Sequence, residues 1–223
     1  LFDPFHIQIP KEINIESTEE KFQLENSNPI QLTLLLDISA SMNEAEKLPL
    51  VKETIHWLTS LLRDKDYLSI VTYADHPTIC LNNINGNKQS KIKKPIDQLK
   101  TGGKTNVDEA FPIAFELVNK NFISEGNNKI ILITDGLFTL NEKQEELINL
   151  YNQKNIHLSV FYFGKKEKGE QTKMLKKISS LGGGNYYYIK NIFYPQHFLS
   201  ISNNQVQLKR SDYGDQIKIT EIK

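Results

Sequence analysis

The sequence has few of the features that mark disulfide-rich, membrane-spanning or polyanion-binding proteins. Its 223 residues include one cysteine, Cys80, so no disulfide can form within the chain. No apolar run reaches the roughly 20 residues that a membrane-spanning helix needs. Basic and acidic residues number 27 each, so no overall charge attracts nucleic acid or an anionic membrane. We therefore expect a globular domain with no nucleic-acid partner and no membrane span.

The chain also begins at Leu1 without a methionine, and it contains no N-x-S/T glycosylation acceptor. We expect it to be an excised or processed part of a longer protein. Its composition, 39% hydrophobic and 24% charged, is that of an ordinary globular protein. The length is sufficient for one large domain with a sizeable core.

Strand and helix patterns alternate from residue 30 onward. Buried strands are predicted at 31–38, 67–74, 129–134, 156–163 and 186–189, with a short edge strand at 78–81. Amphipathic helices are predicted at 47–63, 88–100, 107–122, 142–154 and 170–181. This alternation predicts an α/β fold, a doubly wound and mostly parallel sheet flanked by helices.

Two flanks depart from this alternation, which divides the chain into three parts. Residues 1–29 form an N-terminal flank with a candidate edge strand at 6–9. Residues 30–202 form the α/β domain. Residues 203–223 form a C-terminal flank with a candidate β-hairpin around 212–215.

Side chains that carry oxygen cluster where the predicted strands end. Asp37, Ser39 and Ser41 follow the first strand in "DISAS", Asp135 follows "KIILIT", and Thr105 lies in the glycine-rich "TGGKTN". Ligands of open α/β sheets bind at the carboxyl ends of the strands, so we expect these five residues to share a site. Two carboxylates and three hydroxyls favour Mg²⁺ or Mn²⁺ over zinc or copper, with Ca²⁺ a poorer match. Two carboxylates carry just enough negative charge to neutralise one divalent ion, and the hydroxyls add none. The ion would therefore still attract a carboxylate from a partner.

Each of these motifs also has an ordinary structural interpretation. "DISAS" alone is equally typical of a helix N-cap and turn after a strand. Thr105 with Asp108 is similar to a capping pair at the start of a helix. Asp135 with Gly136 alone would be a turn between strand and loop. The occurrence of all three motifs at matching strand ends favours metal binding.

Alternatives in nucleotide binding and catalysis each lack a residue that they require. A P-loop ending in "GGKT" needs glycine at position 98, where the chain has Gln98. A haloacid-dehalogenase-like phosphatase needs a second aspartate where Ser39 stands. A serine hydrolase needs a histidine base, and the five histidines form no recognisable motif. We expect no enzymatic activity, with metal-dependent hydrolysis as the alternative that a turnover assay would reveal.

The motifs "DISAS", "GGKTN" and "ITDG" together resemble those of the von Willebrand factor A (VWA) domain family, in the family's order, over roughly residues 30–200. The resemblance implies a Rossmann-like fold with a metal-ion-dependent adhesion site (MIDAS) formed by Asp37, Ser39, Ser41, Thr105 and Asp135. It implies that the two serines bind the ion directly and the two aspartates often through water. It also implies that Thr105 joins or leaves the ion as the domain switches.

By the same resemblance, the chain is a non-enzymatic protein-binding module for adhesion or assembly, and its partner supplies an Asp or Glu. "KLPLVKETIHWLTSLL" and "GGGNYYYI" are most similar to bacterial members, which favours an exported or cell-surface bacterial protein. The alternative is an intracellular VWA partner of a ring ATPase in metal insertion or complex remodelling. Two residues depart from the family pattern, Ala40 where glycine is commoner and Lys104, which favours acidic partners.

Overall fold

The computed structural model describes residues 27–43, 47–136, 138–164, 169–189, 200–202 and 205–207. The strands are β1 (Ile30–Asp37), β2 (Tyr67–Tyr73), β3 (Pro77–Asn85), β4 (Asn127–Thr134), β5 (Ile156–Tyr162), β6 (Gly183–Tyr188), β7 (Ser200–Ser202) and β8 (Gln205–Gln207). The α-helices are α1 (Lys47–Ser60), α2 (Gln89–Asp97), α3 (Ala110–Lys120), α4 (Glu142–Gln153) and α5 (Glu170–Leu181), and a 3-10 turn spans Ala40–Asn43. In this part of the chain no helix is long and apolar enough to cross a membrane.

The main sheet has six strands in the order β3-β2-β1-β4-β5-β6. All neighbours pair in parallel except β2 and β3, which are antiparallel at one edge. The predicted α/β fold with a mostly parallel, doubly wound sheet is confirmed. Outside this sheet, β7 and β8 pair antiparallel, on either side of the boundary predicted at residue 203. The candidate strands at 6–9 and around 212–215 lie outside the described residues.

Helices cover both faces of the sheet, because side chains alternate between the two faces along each strand. Leu34 and Leu36 of β1 lie in one core, which α1 and α2 complete with residues such as Ile55 and Ile92. Leu35 lies in the other core, which is completed by α3, α4 and α5. Strands buried on both faces explain the continuous apolar runs in the sequence.

The order of the strands places a crevice at the carboxyl ends of β1 and β4. From β1 the chain moves to β2 on one side, whereas β4 joins β1 on the other side. The connections therefore diverge at this point, and such a point is the usual ligand site of an open α/β sheet. Leu36 is opposite Ile133 in the register, so the residues that follow them enter the same crevice.

Most element boundaries differ from those predicted by a few residues, among them those of β3, β6 and α3. β3 has nine residues where four were predicted, because its second half, "LNNIN", lacks the apolar alternation that indicates a strand. β6 begins at Gly183, three residues before the strand predicted at 186–189. α3 begins at Ala110 and not at Val107.

A buried ion pair holds the opposite end of the sheet. Asp66 is fully buried, and its Oδ1 accepts hydrogen bonds from the backbone N–H of Ile30 at 2.9 Å and from Arg63 Nη2 at 2.7 Å. Its Oδ2 accepts from Arg63 N at 2.8 Å and Nε at 2.7 Å. Arg63 also donates to the carbonyl of Ser27 at 3.0 Å. The pair thus joins the α1–β2 connection to the start of β1.

Candidate metal centre

The end of β1 delivers Asp37 and two serine hydroxyls to the crevice. Asp37 is fully buried, its Oδ1 accepts from the N–H of Ser39 at 2.9 Å, and its Oδ2 accepts from the Thr134 hydroxyl at 3.0 Å. The Oγ atoms of Ser39 and Ser41 lie 3.1 Å apart. Between the two serines the chain turns into the 3-10 turn, which the buried Met42 anchors in the core. The carboxylate is therefore held in one orientation, and the two hydroxyls lie side by side.

Asp135 enters the same crevice from β4. Its side chain is 1% exposed, and its Oδ2 accepts a hydrogen bond from Lys47 Nζ at 2.9 Å. The same ammonium group donates to the backbone carbonyl of Ser41 at 3.2 Å. Among the residues that the structure describes, the buried Oδ1 of Asp135 has no hydrogen-bond partner. Lys47 thus bridges the second aspartate to the serine turn, and one carboxylate oxygen is left for another ligand.

Thr105 lies at the same edge of the sheet, in the loop at 101–106. The loop is held against the ends of β1 and β2 by three backbone hydrogen bonds, from Gly102 N to Ile38 O (2.9 Å), from Ala40 N to Gly103 O (3.1 Å) and from Asn106 N to Ala74 O (2.8 Å). The Thr105 side chain is half-buried, and within the described part of the chain its hydroxyl makes no hydrogen bond. The structure therefore places the threonine in a loop that is bonded to the residues after β1 and β2, and it shows no hydrogen bond from Thr105 to the other four candidate residues.

The interpretation of Thr105 and Asp108 as a helix cap is wrong. α3 begins only at Ala110, and its N-cap, Glu109, makes no side-chain capping hydrogen bond. Instead, the Asn106 side-chain oxygen accepts from the N–H of Asp108 at 3.2 Å. This local turn keeps the preceding residues out of the helix.

Burial sets the electrostatics of the centre. Burial raises the pKa of Asp37 above its usual value, and the nearby charge of Asp135 adds to the rise, while hydrogen bonds from Ser39 and Thr134 oppose it. Burial, followed by the charge of Asp37, raises the pKa of the Tyr73 hydroxyl well above its usual value. Two carboxylates close together in a poorly solvated crevice repel each other, which favours a bound cation.

Sequence reasoning missed three residues of the centre, Lys47, Thr134 and Tyr73. A signal existed for Lys47, because the first turn of α1 has this lysine and no acidic residue, against the preference of a helix N-terminus for negative charge. Thr134 has the same parity in β4 as the buried Leu132, so strand alternation places it on the α3 face of the sheet. Tyr73 is opposite Asp37 in the β1–β2 register, which the sequence does not specify.

The residues fit a hard divalent cation. Their side-chain donors are carboxylate and hydroxyl oxygens, which suit Mg²⁺ or Mn²⁺. No group of three or more His, Cys, Asp or Glu side chains in the described residues is placed to hold a metal ion, so hydroxyl ligands would have to contribute. The unpartnered, buried Oδ1 of Asp135 is a further observation that fits such a ligand.

Comparison with known proteins identifies a relative of this chain. The uncharacterized protein YfbK of Escherichia coli strain K12 is 33% identical over 179 residues, which is 78% of this chain and 31% of YfbK. The chain thus matches less than a third of the length of that relative.

Solved structures show the same fold. The conserved hypothetical protein BatB of Bacteroides thetaiotaomicron has a TM-score of 0.63 at 20% identity, over 73% of this chain and 91% of the BatB chain. Proximal thread matrix protein 1 of the mussel byssus, in a structure whose MIDAS motif is occupied by zinc, has a TM-score of 0.56 at 18% identity. That match covers 74% of this chain and 42% of the mussel protein.

The model of one protein family covers most of the chain. Residues 31–198 match the von Willebrand factor type A domain, a span that contains all five candidate residues and the six-stranded sheet except Ile30, the first residue of β1. With the strand order and the position of the crevice, this match identifies the chain as a member of the von Willebrand factor type A domain family.

Proposed function

We propose that this chain is a divalent-cation-dependent protein-binding module, for adhesion or assembly, with a complete MIDAS. Asp37, Ser39, Ser41, Thr105 and Asp135 would hold Mg²⁺ or Mn²⁺ at the crevice. The ion would supply an electrophilic site for an oxygen ligand from outside. The partner is a protein that offers an Asp or Glu side chain.

The observation that carries the proposal is the meeting of two carboxylates and two serine hydroxyls at the switch point of the sheet. Both oxygens of Asp37 accept hydrogen bonds from the protein, whereas one oxygen of Asp135 accepts none from the described residues. The neighbouring hydroxyls of Ser39 and Ser41 contribute ligands without negative charge. The negative charge of the ligands therefore does not exceed the positive charge of a divalent ion bound by the centre.

The relatives support the proposal in two ways. The mussel protein shows that a MIDAS motif on this fold holds a divalent metal, in that case zinc. The matches to YfbK of Escherichia coli and BatB of Bacteroides thetaiotaomicron support a bacterial type of VWA domain.

We also propose that the module is not an enzyme. The hydroxyls of Ser39 and Ser41 are bonded to each other, and no described histidine lies within hydrogen-bond distance of either. His56 contacts Asp97 and His157 contacts Asn152, both away from the crevice. A serine nucleophile without a base has no route for its proton.

Isothermal titration calorimetry with Mg²⁺ and Mn²⁺ tests the metal site. We expect the wild type to bind one ion, and Asp37→Asn and Ser41→Ala to bind it at least about tenfold more weakly, because each loses a ligand or its charge. Asp64→Asn is the matched control, since Asp64 is exposed and lies near the opposite end of the sheet. Equal affinities in Asp37→Asn and the wild type would reject the site.

A second titration tests the role of a partner carboxylate. Mn²⁺ is titrated in the presence of a short peptide with one central glutamate, and again with glutamine in its place. Because coupling between two ligands is reciprocal, a peptide that completes the coordination must raise the affinity for Mn²⁺. We expect the glutamate peptide alone to do so in the wild type. Equal effects of the two peptides would contradict the proposed mode of binding.

A further inference from the structure

The Lys47 ammonium group is the feature of the centre that the proposed function leaves unused. Its side chain is only 14% exposed, and it contacts Asp135 Oδ2 at 2.9 Å and the Ser41 carbonyl at 3.2 Å. Neither of these atoms is among the oxygens proposed above to hold the metal, which are the hydroxyls of Ser39, Ser41 and Thr105, the Asp37 carboxylate and the unpartnered Oδ1 of Asp135. The lysine and a bound ion therefore have separate contacts on the same aspartate.

The position of Lys47 is electrostatically unfavourable for its own helix. It lies in the first turn of α1, where the helix dipole disfavours a cation, and no acidic residue in that turn compensates it. The contact with Asp135, 88 positions away in the sequence, supplies the compensation.

We propose that Lys47 is a fixed positive charge that lowers the intrinsic metal affinity of the centre and makes it dependent on a carboxylate from the partner. This inference rests on the proposed function and deepens it. Asp37 and Asp135 contribute two negative charges, and Lys47 contributes one positive charge. With a divalent ion, these three side chains sum to a charge of +1, which one partner carboxylate balances.

The alternative role of the lysine is purely structural, as a clamp between Asp135 and the serine turn. The two roles predict opposite results when the charge is removed. A clamp that only positions ligands strengthens metal binding, so its loss weakens affinity. A repelling charge weakens metal binding, so its loss strengthens affinity.

Titration of Mn²⁺ into charge-removing and charge-keeping variants tests the inference. Repulsion between an ammonium group and a divalent ion a few ångströms away is worth at least about tenfold in affinity, even with the dielectric constant of water. We expect Lys47→Met to bind Mn²⁺ more tightly by at least about that factor, and Lys47→Arg to remain near the wild type. Lys52→Met is the control, since Lys52 is on the same helix and its Nζ donates to the Asp97 carbonyl at 2.8 Å.

The glutamate peptide gives the second readout. In Lys47→Met the two aspartates balance the ion with no lysine charge beside them, so we expect the peptide to raise the Mn²⁺ affinity less than in the wild type. If Lys47→Met does not fold, Lys47→Gln replaces it, because the glutamine amide still donates a hydrogen bond. In the wild type, the ¹⁵Nζ resonance of Lys47 must shift when Mg²⁺ is added, and this measurement needs no variant.

The outcomes separate the two proposals. Loss of binding in every variant and in the wild type would reject the metal site itself. Binding in the wild type with equal or weaker binding in folded Lys47→Met would reject the role of Lys47 and leave the metal site standing. An unshifted Lys47 resonance at saturating Mg²⁺ would also reject the role of Lys47.

Discussion

Gly103 is the position where one added methyl group should disturb the threonine loop most. Its φ is +76°, a conformation that costs a residue with a side chain about 1–2 kcal/mol. A Cβ atom built there would lie 2.4 Å from Asp75 Oδ2 and 3.2 Å from the Ala74 side chain. Asp75 cannot yield freely, because its other oxygen accepts a hydrogen bond from the N–H of Lys104 at 2.9 Å. Loss of that bond adds about 1 kcal/mol.

Gly103→Ala should therefore lower the free energy of unfolding by about 2–3 kcal/mol. For a domain of this size the melting temperature falls roughly 2–4 °C per kcal/mol, so we expect a decrease of about 5–10 °C by circular dichroism. Gly102→Ala is a control one residue away, because a Cβ atom there meets nothing within 4 Å. Its effect on unfolding should stay within about 0.5 kcal/mol.

A double-mutant cycle separates the two costs at Gly103. In Asp75→Ala the clash is absent, so adding Gly103→Ala should cost only the backbone term of about 1–2 kcal/mol. The Mn²⁺ affinity of Gly103→Ala should also fall, because Thr105 lies two residues further along the loop. Equal melting temperatures for Gly102→Ala and Gly103→Ala would refute the argument from the backbone conformation.

Two more predictions concern the buried charges away from the crevice. Asp66→Asn breaks the pair with Arg63 and should lower the free energy of unfolding by about 3 kcal/mol in urea denaturation, whereas exposed Asp64→Asn should not change it measurably. Burial lowers the pKa of Lys129 from 10.5 to about 8. The unfolded chain therefore binds more protons between pH 8 and 10.5, so stability should rise with pH across that window and should not depend on this lysine's titration below it. Lys129→Met should remove this slope and stabilise the protein by roughly 2–3 kcal/mol at pH 7, and an unchanged slope would contradict the assignment.

The fold could be predicted from the sequence because its signals are strong and local. Apolar runs such as Leu34–Leu36 indicate strands buried on both faces, and the helices between them show a clear apolar stripe. The signals fail where an element depends on its neighbour. The second half of β3 is a strand because it pairs with β2, and its own residues include Asn82 and Asn83 with little apolar pattern.

The candidate site could be predicted in part for the same reason. Asp37, Ser39 and Ser41 are close in the sequence, so their proximity follows from a single turn. The proximity of Asp135 depends on the pairing of β1 with β4, which follows from the order of the strands. The contact of Lys47 with Asp135 depends on that order as well as on where α1 begins, so no local pattern predicts it.

The three backbone hydrogen bonds of the threonine loop have a consequence for its dynamics. They join one loop of six residues to the segments that follow β1 and β2, so Thr105 cannot move far unless bonds to both segments break together. The amide protons of Ala40, Gly102 and Asn106 should then exchange with solvent at a common rate, set by one opening event. A ligand that holds Thr105 in place would slow all three by the same factor. Hydrogen exchange at these amides thus reports how often the crevice opens.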